Sequence, residues 1–220
     1  MTDGIILIDK PAHMTSFGVV ARVRRVLTQQ NGRKTKVGHT GTLDPFATGL
    51  MILTVGTECK NALSYTKLDK EYQAVIKLGE KSTTGDPEGE LTTISDYQPT
   101  RAEIVDVMEK FTGEVEQTPP AFSAIKIDGQ RAYKLARQGK SVDMPKRRVT
   151  IYNLQLLQYD YPHVTISAKV SSGTYIRTLA EDIGDLLNTG AYCAELRRIS
   201  IDRWRVEEAK NLEEFMTAGK

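Results

Sequence analysis

The sequence predicts a mixed α+β fold, in which helices flank a largely antiparallel sheet. Strand-like and helix-like segments are interspersed without the regular spacing of strand–helix–strand units. Residues 70–78 alternate between apolar and polar side chains, as a half-buried strand does. Residues 16–27 repeat apolar side chains at helical spacing. Because no repeat, low-complexity segment or linker interrupts the chain, we expect one domain over residues 1–220.

The first quarter of the chain predicts two strands around a helix. Residues 4–8 form an apolar run typical of a buried strand. Ser16 can cap the helix that follows, and the arginines of that helix fall opposite its apolar side chains. Glycine, threonine and proline dominate residues 37–49, which therefore predict a loop. Residues 50–55 predict a buried strand leaving that loop.

Later elements follow from local signals. Residues 82–90 are rich in turn-forming residues. Thr100 and Glu103 have the spacing of a capping box, for a helix that runs to about Phe111. The remaining predictions are a loop that enters a strand over 118–129, a short helix over 130–139, strands over 148–158 and 163–170, and helices over 174–188 and 212–216.

Composition excludes several classes of protein. Hydrophobic residues make up 40% of the 220 residues and charged residues 26%, as in ordinary globular proteins. No apolar run reaches the roughly 18 residues of a membrane span, and no basic segment precedes the first apolar run. The two cysteines and three histidines match no disulfide or metal-binding spacing. We therefore expect a cytoplasmic protein without a metal or a membrane partner.

Basic residues are clustered, although the formal net charge is only +2. The stretch between Asp9 and Asp44 contains no acid and carries the first cluster: Lys10, Arg22, Arg24, Arg25, Arg33, Lys34 and Lys36. The second cluster is Lys146, Arg147 and Arg148, and the third is Arg197, Arg198, Arg203 and Arg205. On one face they would form a phosphate-binding surface. Charge alone equally allows three unrelated solvated faces.

Asp44 is the only acid in the glycine-punctuated segment GHTGTLDPFATG. Pro45 biases Asp44 towards an extended backbone. A lone carboxylate on a stiff loop beside a strand is how an enzyme presents a catalytic acid. Aspartate before proline also commonly caps a turn, and spacing alone favours that interpretation. The segment is not a phosphate-binding loop, because GxxxxGK[ST] is absent.

Arg177 and Tyr72 are two further candidates. Arg177 falls in the first turn of the predicted helix over 174–188. A buried guanidinium there needs a carboxylate partner, for which Asp44 and the local Glu181 both qualify. Tyr72 can stack on a base and form a hydrogen bond, although an interior tyrosine fits the same pattern.

Segments along nearly the whole chain together resemble the TruB-type pseudouridine synthases. In chain order they are GIILIDKPAHMTSF, GHTGTLDPFATGLM, DKEYQAVIKLG, STTGDPEGE, TPPAFSAIKIDGQRAYKLARQG, SSGTYIRTLAEDIG and AELRRISIDRW. The resemblance implies the pseudouridine synthase fold. It also implies isomerisation of the T-loop uridine of tRNA (position 55) to pseudouridine, a reaction that needs no cofactor.

The resemblance assigns roles to individual residues. Asp44 matches the essential aspartate, Tyr72 the tyrosine that packs against the target base and is implicated in proton removal, and Arg177 the arginine that pairs with the aspartate. Substrate-binding roles fall to four positions: His39 within the RNA loop, Leu196 in the pocket, Lys10 (with Pro11) behind the active-site loop, and Asp86 against RNA. Thr83 and Val170 depart from the family, where many relatives carry Asp and Cys.

The resemblance also implies how the protein works with its partners. Bacterial relatives usually continue into a C-terminal RNA-binding module of the PUA type, and we expect no such domain in this chain. We therefore expect weaker tRNA affinity here, with chemistry preserved on an isolated T-arm. We expect tRNA as the partner of a monomer with no obligate protein partner. One alternative is a synthase that works in a guide-RNA complex. Another is a non-catalytic RNA-binding protein or tRNA folding chaperone, which has no need of Asp44, Tyr72 and Arg177.

Overall fold

The computed structural model describes residues 3–127, 129–140 and 142–217. Its strands are β1 (Gly4–Lys10), β2 (Val37–His39), β3 (Thr48–Val55), β4 (Lys70–Leu78), β5 (Glu80–Ser82), β6 (Leu91–Thr93), β7 (Gly113–Gln117), β8 (Lys126–Ile127), β9 (Gln130–Arg131), β10 (Arg147–Asp160), β11 (His163–Val170), β12 (Ala191–Ile201), β13 (Trp204–Arg205) and β14 (Lys210–Asn211). Its α-helices are α1 (Ser16–Asn31), α2 (Ala62–Thr66), α3 (Arg101–Glu109), α4 (Ala132–Ala136), α5 (Ile176–Leu186) and α6 (Leu212–Thr217). The predicted α+β class with a large, mainly antiparallel sheet is confirmed.

The chain divides into two compact units. Unit 1 comprises the residues up to Tyr72 and those from Arg197 onwards, and unit 2 comprises Gln73–Leu196. The chain passes into unit 2 within β4 and returns to unit 1 within β12. The single domain expected over residues 1–220 stays a prediction.

Unit 1 is built around β3. This strand pairs antiparallel with β1, from Gly4 opposite Val55 to Lys10 opposite Gly49, and parallel with the end of β12. Every residue from Leu50 to Val55 is buried, because the strand lies in the interior of the sheet. Helix α1 buries the predicted stripe of Val19, Val20, Val23, Val26 and Leu27. The helical and strand periodicities in this part of the sequence are therefore confirmed.

Two predictions in unit 1 are wrong in detail. Thr15, rather than Ser16, caps α1, because its hydroxyl accepts a hydrogen bond from the Gly18 backbone at 3.0 Å. Residues 37–49 are not all loop, since β2 pairs with β3 through Val37, Gly38 and His39. A strand of three residues is too short to show an alternating pattern in the sequence.

Unit 2 carries the strand order β4–β11–β10–β7. The strand predicted over residues 70–78 is confirmed as β4, which buries Tyr72, Ala74, Ile76 and Leu78 on one face. The predicted capping box of α3 is also confirmed, because Glu103 accepts from the Thr100 backbone at 2.7 Å and Thr100 accepts from the Glu103 backbone at 3.3 Å. Within the described ranges, no helix has the length and apolar character needed to cross a bilayer.

Candidate active-site residues in the two units

Asp44 lies in the segment of unit 1 that joins β2 to β3, residues 40–47, here called the Asp44 loop. Three of its apolar side chains, Leu43, Phe46 and Ala47, are only 3%, 8% and 0% exposed. Asp44 between them is partly buried, and its carbonyl accepts a hydrogen bond from the Ala47 backbone at 3.2 Å. The core therefore anchors the loop on both sides of Asp44.

Ser16 ties the start of helix α1 to the Asp44 loop. Its buried hydroxyl accepts a hydrogen bond from the Leu43 backbone N–H at 2.8 Å and donates one to the Leu43 carbonyl at 2.9 Å. Both polar groups of the residue before Asp44 are thus satisfied by one side chain. This contact explains why Ser16 does not cap the helix, and sequence reasoning missed it.

Two buried cations hold the Asp44 loop through its backbone. The ammonium of Lys10, a residue with no exposed surface, donates to the carbonyls of Pro11 at 2.8 Å and Pro45 at 3.1 Å. The guanidinium of Arg198, a residue 1% exposed, donates to the carbonyls of Leu50 at 2.7 Å and Gly41 at 3.2 Å. Charged donors form stronger hydrogen bonds than neutral ones, so the loop is held near its start and next to Asp44.

Gly49 lets the end of the Asp44 loop approach β12. Gly49 has a φ of +106° and lies opposite Arg198 in the parallel pair of β3 and β12. A Cβ at this position would collide with the Arg198 backbone. Only glycine combines this conformation with this close approach. Arg198 therefore contacts both ends of the loop, with its side chain at Gly41 and its backbone at Gly49.

Lys70 lies next to Arg198 beneath the Asp44 loop. The side chains of both residues border Gly41, and the Lys70 ammonium donates to the carbonyls of Thr66, at 3.0 Å, and Leu68. Burial, as the largest cause, and the positive charge of Arg198 together lower the pKa of Lys70 to about 8, and Asp69 opposes both effects. Unit 1 thus concentrates buried positive charge beside the loop that carries Asp44.

Replacing Lys70 with methionine should change how stability depends on pH. Below about pH 8 the folded and unfolded chains both hold the proton of Lys70, whereas between about 8 and 10.5 only the unfolded chain holds it. The free energy of unfolding of the wild type, relative to Lys70→Met, should therefore rise with pH in this window, by up to about 1.4 kcal/mol per pH unit. Urea denaturation at about pH 7.5, 8.5 and 9.5 measures the difference. The exposed Lys67→Met is the control, and a difference that does not change with pH would contradict the prediction.

His39 and Tyr72 belong to unit 1 with Asp44 and Lys10. His39 is half-buried in β2, where it lies opposite Leu53 of β3. Tyr72 is 7% exposed on the buried face of β4. The roles that the resemblance implies for these two side chains stay predictions.

Arg177 is the centre of a second cluster, which lies in unit 2. The residue is 3% exposed and is the second residue of α5, as the sequence predicts. One terminal nitrogen of its guanidinium donates to the carbonyl of Thr84 at 2.8 Å and the carboxylate of Asp86 at 3.2 Å. The other donates to the carbonyl of Phe122 at 2.8 Å. The planar fork thereby joins α5 to two separate loops.

Asp86 is buried, with 4% exposure, rather than displayed at the surface. Besides the ion pair with Arg177, its carboxylate accepts hydrogen bonds from the Thr84 hydroxyl at 2.6 Å and the Glu88 backbone at 3.0 Å. The predicted RNA contact of Asp86 stays a prediction, and the described bonds are internal to unit 2. A separation of 91 residues hides the pairing with Arg177 from sequence analysis.

Glu181, the local partner considered for Arg177, lies one turn further along α5. Burial raises the pKa of Glu181 to about 7, with Arg177 opposing this effect and Asp182 adding to it. Its carboxylate packs against Gly85, which has a φ of +72° and where a Cβ would come within 2.7 Å of the Glu181 Oε1 atom. An acid that is only partly ionised at neutral pH is compatible with this close backbone contact.

Gln117 fixes the start of α5 in unit 2. Its side-chain amide, 2% exposed as a residue, donates to the Tyr175 carbonyl at 3.2 Å and accepts from the Tyr175 backbone N–H at 3.0 Å. Tyr175 directly precedes the first turn that carries Arg177. Leu196, the remaining predicted site residue, is 8% exposed in β12. Sequence reasoning missed Gln117, since glutamine has no characteristic spacing of its own.

Comparison with known proteins points to one group of enzymes. The sequence profile described as "TruB family pseudouridylate synthase (N terminal domain)" matches residues 24–176. A protein named tRNA pseudouridine synthase B from Aquifex aeolicus is 42% identical over 98% of this chain and 74% of its own length. Proteins of the same name from Azoarcus sp. and Pseudomonas putida are 42% and 43% identical, over 97% and 98% of this chain and 69% of their own lengths.

A solved structure also has a similar fold. In the "Crystal Structure of a Cbf5-Nop10-Gar1 Complex", the matching chain superposes with a TM-score of 0.75 at 27% identity. The match covers 97% of this chain and 54% of that one, so the present chain spans about half the length of the solved chain.

These matches, together with the fold and the arrangement around Asp44, define an enzyme of the pseudouridine synthase class. Within that class, the chain belongs to the TruB family.

Proposed function

We propose that this chain is a tRNA pseudouridine synthase that isomerises the T-loop uridine at position 55, with Asp44 as its catalytic carboxylate. The observation that carries the proposal is the way in which the backbone of the Asp44 loop is held in place. Buried apolar neighbours and two buried cations fix the backbone on both sides of the partly buried Asp44. Such pre-organisation is what a catalytic group needs. The names of the relatives supply the reaction and the class of substrate.

The reaction breaks the N1–C1′ glycosidic bond, turns the base and rejoins it through C5. Since no atom enters or leaves and no redox step occurs, the residues of the chain need only bind, position and transfer protons. An ionised Asp44 can act as a nucleophile or remove a proton from the ribose. The target nucleotide must first leave the stacked RNA loop, at a cost of a few kcal/mol.

The other predicted residues have supporting roles in this proposal. Tyr72 packs against the everted base and takes part in proton removal. Arg177 keeps the carboxylate of Asp44 in its charged form. Lys10 supports the Asp44 loop through its hydrogen bond to the Pro45 carbonyl. His39 stacks within the RNA loop, Leu196 lines the base pocket and Asp86 contacts RNA as well as Arg177.

We further propose that residues 1–220 form the catalytic domain and act as a monomer in the cytoplasm, on the T-arm of tRNA. The proteins named tRNA pseudouridine synthase B support a tRNA substrate. In the similar solved structure, by contrast, Cbf5 is in a complex with Nop10 and Gar1. Activity of the purified chain alone would separate these two ways of working.

Mapping pseudouridine in RNA tests the proposal. The purified chain is incubated with an unmodified tRNA transcript and with an isolated T-arm stem-loop, and pseudouridine is located by carbodiimide labelling and primer extension. We expect one modified position, the T-loop uridine, in both substrates. A transcript with cytidine at that position is the control. Binding of tRNA without any pseudouridine would favour the non-catalytic chaperone instead.

A further inference from the structure

Phe17 is an exposed aromatic residue at the start of helix α1. It is 63% exposed, and the guanidinium of Arg24 lies 5.8 Å from the centre of its ring. A single exposed apolar side chain is ordinary in a folded protein. Its position and its electrostatic surroundings make this one informative.

Phe17 lies beside the Asp44 loop. It directly follows Ser16, whose hydroxyl forms both hydrogen bonds to the backbone of Leu43. Leu43 in turn directly precedes Asp44. One hydrogen-bonded pair and two peptide bonds therefore connect the exposed ring to the residue that bears the carboxylate. All of these residues belong to unit 1.

Helix α1, which carries Phe17, and the turn after it are rich in exposed positive charge. No acidic residue occurs from Lys10 to Leu43. The exposed cations of α1 and of the turn after it are Arg22, Arg25, Arg33, Lys34 and Lys36. Arginine attracts phosphate, and an aromatic ring provides a flat apolar surface for any nucleobase. Phe17, with Arg24 beside its ring and the Arg22 guanidinium at the Gly18 carbonyl (3.4 Å), thus offers the two contacts that single-stranded nucleic acid requires.

We propose that Phe17 and Arg24 form a stacking platform for a nucleotide of the RNA substrate that neighbours the target uridine. The base stacks on the open part of the Phe17 ring, while Arg24 and Arg22 bind the adjoining phosphates. This inference rests on the proposed function, because it takes RNA as the substrate of the Asp44 loop. It assigns a substrate contact to α1, a helix that contains none of the site residues predicted from the sequence.

Binding measurements separate the aromatic contact from the charge contact. Phe17→Leu keeps an apolar side chain but removes the ring, so the affinity for a T-arm stem-loop should fall by about fivefold or more, with an unchanged salt dependence. Phe17→Tyr should bind like the wild type. Arg24→Ala should weaken binding and reduce the slope of log K against log salt by about 0.7 to 0.9. Filter binding at several salt concentrations gives both quantities.

Matched controls come from unit 2. Tyr152→Ala removes another exposed aromatic ring and Arg101→Ala another exposed arginine, and both should bind RNA like the wild type. Thermal denaturation verifies that each variant is folded. Wild-type affinity in Phe17→Leu, or an equal loss in Tyr152→Ala, would overturn the platform. Because binding needs no turnover, the comparison decides the platform even if the chain forms no pseudouridine, and a wild type that binds no RNA would overturn both proposals.

Discussion

Replacing Asp44 with asparagine should lower the rate of pseudouridine formation by at least about a thousandfold, as the removal of a catalytic side chain does. The amide has the shape of the carboxylate but neither its negative charge nor its nucleophilicity. The bonds of Ser16, Lys10 and Arg198 to the Asp44 loop should survive the change, because they involve backbone groups of Leu43, Pro45 and Gly41. Binding of tRNA should therefore persist.

Single-turnover kinetics with a radiolabelled transcript would measure the rate, and filter binding would measure the affinity. Asp96→Asn is the matched control, since Asp96 is an exposed acid in unit 2. Turnover at the wild-type rate in Asp44→Asn would remove Asp44 from the mechanism. Loss of both turnover and binding would show that the carboxylate supports the fold or the RNA contact instead.

Replacing Arg177 with lysine should reduce turnover by roughly a hundredfold, the scale of effect that a misplaced active-site group produces. A lysine ammonium lacks the planar fork that reaches the Thr84 carbonyl, the Asp86 carboxylate and the Phe122 carbonyl together. At least one of these acceptors, which are buried or partly buried, would lose its donor. The free energy of unfolding should consequently fall by about 1–3 kcal/mol.

The comparison of kcat with KM tells whether Arg177 acts on the reaction or only on the fold. We expect a lower kcat for the variant even at temperatures at which the variant is still folded. A purely structural role would leave kcat unchanged at those temperatures. Arg137→Lys, at an exposed arginine of unit 2, serves as the control. Wild-type kcat in Arg177→Lys would argue against any role for the fork in positioning the catalytic carboxylate.

Local sequence patterns predicted the elements that have one buried and one exposed face, and the helix start that has a capping box. The alternation over residues 70–78 gave β4, the apolar stripe gave α1, and the Thr100–Glu103 spacing gave the start of α3. Strand β12 was missed altogether, and its first three residues, Ala191, Tyr192 and Cys193, are buried in succession and show no alternation. Periodicity fails wherever a strand is covered on both faces.

The candidate site was predicted only in part, for a different physical reason. Its glycine-rich loop and lone acid are visible in the sequence, as is the position of Arg177 in a first helical turn. The bonds of Lys10, Arg198 and Arg177 to main-chain carbonyls are not visible, because a carbonyl oxygen has the same chemistry in every residue. The pairing of Arg177 with Asp86 needs the folded chain to bring together residues 91 positions apart.

The attachment of Lys10 and Arg198 to carbonyl oxygens also bears on how freely this protein can vary. The two anchors bind the carbonyl oxygens of Pro45 and Gly41, and neither bond involves the side chain of the exposed Thr42. Thr42 can therefore be exchanged without weakening either anchor. Substitution of Lys10, Arg198 or Gly49 would disturb the loop, whereas the exposed position 42 can vary in sequence. Libraries that randomise Thr42 could therefore change the contacts that this position makes with a bound molecule, while the bonds of Lys10 and Arg198 to the loop stay the same.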